Sequence, residues 1–563
     1  MPEKKRTRAS HPKVRTGCHT CKARRVKCDE QRPACQKCIN TGRKCDGYKN
    51  NREWVIVVAP PPPVTDGFED DRSRRHFDYF RTQAVYELSW FFEDGDWGKL
   101  VLKQSHMSPA VRHAVIALAC SHEDFRDNLT VASMAPQYAY AAQHYSKAIR
   151  NLIKETSDDA QESRVRALIC GLLFISIELL RGNNIAALHH LDGCLKIVQE
   201  AQAKMDHYFY PGDPPRHFNL ESEEHLSEAI IPMFARLDVQ AGLLLGRRPE
   251  NRGLIPITWH PSRDIQIEEP PLGSFRTMLE CCNALLLIAN RIHDFMALYS
   301  DLYRHEMLRP IPDDVLAYHA MLYDQLMQWE DAIQCLLNSP LSWHNYDKLK
   351  LMRIHHRTAL TLLESSLHSQ ETHLDNFEWA FSDIVQYTAE LQERLAPSDD
   401  GSASDSDSSS DRSTGGFAKT WRCQQAASQI TRTGLLKYQR RPFFLLDNGV
   451  IFSLYWVALK SRDGNLRRRA ISLLDSSTQE GVWIGPIQAA VARRIVEIEE
   501  QHPYEKYPSF ERIKDACDIP EYIRVHSVAT DIDKIRRTAK LVVLRRLNGD
   551  EGCWHETVDW VTW

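Results

Sequence analysis

Six cysteines fall within one short stretch, CHTCKARRVKCDEQRPACQKCINTGRKC, from Cys18 to Cys45. Their spacing is C-x2-C-x6-C-x6-C-x2-C-x6-C. It divides into two copies of one unit, Cys18, Cys21, Cys28 and Cys35, Cys38, Cys45. A segment this short cannot bury a core of its own, so something must cross-link it. The N-terminal MPEKKRTRASHPKVR has no apolar secretory run. The expectation is therefore a reducing compartment, where disulfides do not persist and metal is the better cross-link.

A C-x2-C pair converges two sulfurs on one ion. Six thiolates hold two Zn²⁺ when two sulfurs bridge, and each ion then has a closed tetrahedron of sulfur. No ligand position is left for water, so the expected role is structural. The candidate metal ligands are Cys18, Cys21, Cys28, Cys35, Cys38 and Cys45.

Between Cys21 and Cys28 lies KARRVK. If Cys21 opens a helix, Lys22, Arg24, Arg25 and Lys27 crowd its first turns, a cationic opening suited to phosphate. Arg and Lys also read guanine in the major groove. The charge is asymmetric along the chain. Residues 1–53 carry 16 Lys+Arg against 5 Asp+Glu, whereas the remaining residues carry 55 against 70. A basic head on an acidic body implies a polyanion-binding end.

The segment from Thr16 to Gly47 resembles the fungal binuclear zinc cluster (Zn₂Cys₆) DNA-binding domain. The resemblance implies that Cys18 and Cys35 bridge the two ions. One zinc would take Cys18, Cys21, Cys28 and Cys35, and the other Cys35, Cys38, Cys45 and Cys18. Pro33 matches the family's proline in the loop joining the halves. Arg24 and Arg25 match its base-contacting positions, with Lys22 and Lys27 as phosphate contacts. The implied target is double-stranded DNA with CGG-type half-sites, at genes read by RNA polymerase II.

Lys4, Lys5, Arg6, Arg8, Lys13 and Arg15 form a basic arm over 1–15, able to follow phosphates or to direct import into the nucleus. Residues 48–72, with APPPPVTDGFEDD, read as a linker. No apolar heptads occur between Asp46 and Arg75. A monomer and a homodimer formed through the body both stay open.

The fold class read from the sequence is mainly α. The body, 73–563, is a large all-α domain ending in a short β-hairpin. Tyr138, Ala142, Tyr145, Ile149 and Leu152 share one helical face, as do Ile185, Leu188, Leu191, Leu195 and Val198. Ser108 and Pro109 mark a helix start. Ala167–Ile177 is too short to span a bilayer and reads as a buried helix. PSDDGSASDSDSSSDRSTGG (397–416) has no apolar face and interrupts the helices as an acidic insert. Helices resume after Phe417 and run to about Gln501. Asn548-Gly549 is a turn signal, followed by a strand with Trp554, Glu556, Val558 and Trp560 on one face.

The body resembles the fungal-specific transcription factor regulatory domain. His76–Phe92, Pro109–Glu123, Leu172–Leu191 and Arg462–Leu474 carry the likeness, which implies a helical platform for regulation and coregulator binding. No G-x-S-x-G, phosphate loop, H-E-x-x-H or dinucleotide motif is present. His190 and Cys194, spaced for a shared ion, read as core residues. Cys281 and Cys282 point to different helix faces, and so do His355 and His356. Two readings follow: a zinc-dependent transcription regulator, or a zinc-cluster scaffold that docks proteins. The chain is not read as an enzyme.

Overall fold

The computed structural model describes residues 16–48, 67–88, 96–127, 135–156, 161–208, 230–245, 275, 277–337, 343–395, 444–447, 449–506, 515–534, 536–546 and 553–563. The basic arm, the polyproline run, the acidic insert and the Asn548-Gly549 turn lie outside them. The chain divides into two compact units, Met1–Phe68 and Glu69–Trp563.

The first unit has two short helices, α1 (His19–Ala23) and α2 (Gln36–Ile39). The second is built mainly of helices. Its first part holds α3 (Asp71–Tyr79), which continues through a π-helical turn into α4 (Val85–Leu88), then α5 (Asp96–Met107) and α6 (Pro109–Arg126). Next come α7 (Ala135–Glu155), α8 (Gln161–Arg181) and α9 (Asn184–Tyr208). The Ser108 hydroxyl accepts from Val111 N at 3.2 Å and Pro109 takes the first helical position, as the sequence predicts. Helix α6 packs against α7 and α8. The Ala167–Ile177 run lies in α8, with Leu168, Ile169, Leu172 and Ile177 buried. No helix among the described residues is long and apolar enough to cross a membrane.

The predicted helical faces need adjustment. Among the described side chains of α7, which leave out Tyr138, the buried residues are Ala141, His144 and Ala148, one position away from the expected stripe. The small alanines let α7 approach α6 closely, which leaves Tyr145 and Ile149 half-buried. In α9, Leu191, Leu195 and Val198 are buried, but Ile185 is exposed at the first turn. His190 bonds Tyr145 Oη at 2.7 Å, and Cys194 is buried.

The middle bundle comprises α10 (Ile231–Leu245), α11 (Met278–Ser300), α12 (Asp313–Leu337), α13 (Trp343–Ser366) and α14 (Glu378–Leu395). Trp329 is fully buried at its centre, with its indole N–H donating to the Cys281 carbonyl at 2.9 Å. Phe295, Leu322 and Leu360 complete this core.

The last part holds β1 (Phe444–Leu445), α15 (Ile451–Lys460), α16 (Gly464–Ser476), β2 (Gln479–Glu480), β3 (Trp483–Ile484) and α17 (Gly485–Lys506). Strand β1 pairs parallel with β2, and β2 antiparallel with β3, a small sheet the sequence reading did not anticipate. The expected C-terminal hairpin is present as β5 (Thr538–Arg546) and β6 (Trp554–Thr562). A third strand, β4 (Val525–Asp533), extends it into a three-stranded antiparallel sheet. Ala539, Leu541, Val543 and Val561 face the helices, whereas Val558 and Trp560 are exposed on the other side.

A buried ionic network joins this part to the middle bundle. Glu371, in the 3₁₀ helix Glu371–Phe377, is fully buried. Its carboxylate accepts from Arg304, from Lys460 Nζ at 2.8 and 2.9 Å, and from Arg462 Nη1 at 3.2 Å. Arg462 bonds Glu499 at 2.8 Å, and Glu499 pairs with Arg467 at 2.7 Å. Once desolvated, such groups persist only when paired.

Candidate metal centre and DNA-binding surface

The first unit is organised by its thiols. The Cys18 sulfur accepts from Cys21 N at 3.3 Å, so Cys18, not Cys21, caps α1. This corrects the expected placement of the basic residues. The helix ends at Ala23, so Lys22 lies in its last turn and Arg24, Arg25 and Lys27 lie beyond it. The N-terminus of α1 faces the cysteines. A basic residue near a helix C-terminus is favourable to the helix dipole.

Cys18, Cys21, Cys28 and Cys35 have sulfurs all within 4.8 Å of one another, and so do Cys18, Cys35, Cys38 and Cys45. Cys18 and Cys35 belong to both sets, 3.6 Å apart. Cys21 and Cys35 are also 3.6 Å apart, and Cys18 and Cys38 3.8 Å. Zinc–sulfur bonds of about 2.3 Å place tetrahedral sulfurs roughly 3.8 Å apart. The donors therefore fit four-sulfur zinc coordination. All six cysteines are free of disulfides. Burial pushes the Cys18 thiol up to about 12, whereas Cys28 is lowered to about 7 because the N–H groups of Cys18 and Glu30 at its sulfur outweigh its desolvation. A bound cation supplies the charge that lets buried thiols ionise.

Direct bonds fasten the two halves together. The Asp29 carboxylate accepts from Gln36 N at 2.8 Å and Lys37 N at 3.1 Å, capping α2 from the first half. Thr20 Oγ1 donates to Asp46 at 2.8 Å, and Tyr48 Oη donates to Gln31 O at 2.6 Å. Pro33 follows a cis peptide in the joining loop.

The two halves end their helices in the same way. After α1, Arg25 N donates to Lys22 O at 3.1 Å and Val26 N to Cys21 O at 3.1 Å. After α2, Gly42 N donates to Ile39 O at 2.9 Å and Arg43 N to Cys38 O at 3.0 Å. Both are Schellman closures, which need one left-handed residue. The second half uses Gly42 at φ +61°, but the first uses Arg25 at φ +56°. An L-residue there costs roughly 1–2 kcal/mol, which glycine avoids.

Lys22, Arg25 and Lys27 are exposed, and Arg24 is half-buried with Nη1 donating to Thr41 Oγ1 at 3.1 Å. Thr41 Oγ1 donates in turn to Lys37 O at 2.8 Å, so the second half steadies Arg24. Exposed Lys37, Arg43 and Lys44 add charge that the sequence reading did not single out.

The cysteine segment matches the family model of the fungal Zn(2)-Cys(6) binuclear cluster domain over residues 16–54. The body matches that of the fungal specific transcription factor domain over 75–404. The chain is 25% identical to the Aspercryptin biosynthesis cluster-specific transcription regulator atnN of Emericella nidulans, covering 86% of this chain and 87% of that protein. It is 32% identical to the transcription regulator lscL of Purpureocillium lilacinum, over 32% of this chain and 48% of that protein. The transcriptional regulatory protein moc3 of Schizosaccharomyces pombe is 48% identical over 11% of each chain. No solved structure matches. The second family model alone spans more than half of the sequence. The chain belongs to the fungal specific transcription factor domain family and is a zinc-cluster, DNA-binding transcription regulator.

Proposed function

We propose that the first unit holds two structural Zn²⁺, bridged by Cys18 and Cys35, and reads CGG-like half-sites in the major groove. Cys18, Cys21, Cys28 and Cys35 hold one ion; Cys35, Cys38, Cys45 and Cys18 hold the other. Arg24 and Arg25 contact base edges, and Lys22 and Lys27 contact phosphates. The observation that carries the reading is Arg25. It keeps a cationic side chain at a left-handed position that the equivalent second half gives to Gly42. Strain of that kind persists where a side chain is needed.

The DNA-binding domain spans 16–47, preceded by the basic arm and followed by the linker to about residue 72. The helical body receives regulatory signals or coregulators, acts in the nucleus on RNA polymerase II genes, and supplies any homodimer contact. The test is selection of sites from a random duplex pool with the full chain, with zinc and with chelator. Enrichment of a G/C-rich triplet only with zinc supports the reading. Enrichment of no sequence, or of the same one after demetallation, refutes it.

A further inference from the structure

The body carries a second cluster of metal-ligating groups, remote in sequence from the cysteines. Glu364 lies in the last turn of α13, His373 in the 3₁₀ helix Glu371–Phe377, and His368 in the link between them. One donor atom from each lies within 4.8 Å of the other two. His373 Nε2 lies 3.1 Å from the Glu364 carboxylate. The His368 and His373 rings stack with centroids 3.5 Å apart and planes 15° apart. Two imidazoles and a carboxylate is the donor set of a three-ligand zinc site with one open position.

The cluster is held in place from several sides. Glu371 N and Thr372 N donate to the Glu521 carboxylate at 2.8 Å each, anchoring the start of the 3₁₀ helix. Asn376 Nδ2 donates to His373 O at 3.0 Å, and Phe377 packs 5.6 Å from the His373 ring. A polar pocket opens onto both histidines, so water and ions reach them. An imidazole is largely uncharged at neutral pH, so its lone pair can meet a metal ion there.

One feature opposes a cation: Arg309 borders the same pocket. Its guanidinium is turned to carbonyls, donating to Tyr303 O and Leu308 O at 2.9 Å and to Leu367 O at 3.2 Å. This geometry directs its N–H groups away from the imidazoles while its charge weakens cation binding. The expected site is accordingly labile, filled and emptied while the cysteine sites stay loaded.

We propose that Glu364, His368 and His373 form a solvent-accessible zinc site in the regulatory body, separate from the cysteine cluster. Binding brings the donors from within 4.8 Å to the roughly 3.3 Å separation of a tetrahedron with bonds of about 2.0–2.1 Å. The imidazoles swing apart from their stack, and the proton on His373 Nε2 passes to Nδ1. Occupancy then fastens the end of α13 to the 3₁₀ helix that carries Glu371.

The test uses the full chain, free of any affinity tag, with its cysteine sites loaded. Zn²⁺ is titrated against a chromophoric competitor. One further equivalent should bind, and H368Q/H373Q should lose it. E364Q should weaken it by at least roughly tenfold, since even outer-shell changes cost 10–100-fold. With Co²⁺, that equivalent should add d–d absorption without thiolate charge transfer, and the cluster's own bands should match in all variants. Circular dichroism establishes that each variant is folded; should the double variant misfold, E364Q and H368Q decide. The proposal is overturned if no equivalent binds beyond the cysteine sites, or if it binds unchanged in the folded variants.

Discussion

Replacing Arg25 with glycine separates the backbone role of that position from its side-chain role. Arg25 sits at φ +56° in the closure after α1, where Gly42 stands after α2 at φ +61°. Glycine relieves roughly 1–2 kcal/mol of left-handed strain. It also widens the unfolded ensemble, which offsets about 0.4–1 kcal/mol. The first unit of R25G should therefore gain a net of roughly 0–1.6 kcal/mol in stability and bind zinc as the parent does. Loss of the base contact proposed for Arg25 should cost about 1–3 kcal/mol in specific DNA binding, roughly 5- to 150-fold. The assay pairs zinc titration with anisotropy on a cognate and a scrambled duplex. R25A controls for the side chain alone: it loses the same DNA contact but retains the strain. The reasoning fails if R25G binds cognate DNA like the parent, or if R25G loses zinc while R25A keeps it.

Lys27→Ala should weaken cognate and scrambled duplexes alike and lower the salt slope of binding by about 1, measured from 50 to 200 mM salt. Trp329→Ala should destabilise the body by about 3–5 kcal/mol in denaturant unfolding, because it empties a core site and leaves the Cys281 carbonyl without its indole donor. Ser108→Ala should cost about 0.5–2 kcal/mol in the same measurement. Glu371→Gln should cost about 3–5 kcal/mol at pH 7, since it leaves Arg304, Lys460 and Arg462 short of a buried counter-charge. Its neighbouring cations hold the Glu371 carboxyl far below its usual 4.5, outweighing the opposite pull of burial. That stabilisation is complete above pH 4.5 and lost as pH falls, so the variant should lack this part of the parent's acid sensitivity.

The metal centre was readable because ligand spacing is a local property. Two identical cysteine units identify a zinc-cluster segment without knowledge of the backbone between them. The helix start was misplaced because a thiol served as the cap, one residue type beyond the usual Ser, Thr, Asp and Asn. The Arg25–Gly42 equivalence was present in the sequence, each lying four residues after the second cysteine of its unit. Its meaning needed the backbone angles.

In the body, capping and apolar runs located helices such as α6 and α8. The ionic network was not legible. Nothing in the spacing of Lys460, Arg462 and Arg467 points to a partner, and only three-dimensional packing brings Glu371 and Glu499 to them. Strand β4 did carry a signal. Val528, Thr530 and Ile532 are half-buried and alternate with exposed Ser527, Ala529 and Asp531, a period of two beyond the span of the expected hairpin. Similarly, β1 to β3 are two-residue strands, too short to show any period.

The most direct measurement is a zinc titration into demetallated full-length protein with a labelled cognate duplex present. DNA binding should be absent at first and should rise with the zinc taken up by the cysteines, reaching its plateau when two ions are bound there. Undiminished DNA affinity in the fully demetallated protein would contradict the claim that the six-cysteine cluster builds the DNA-binding surface.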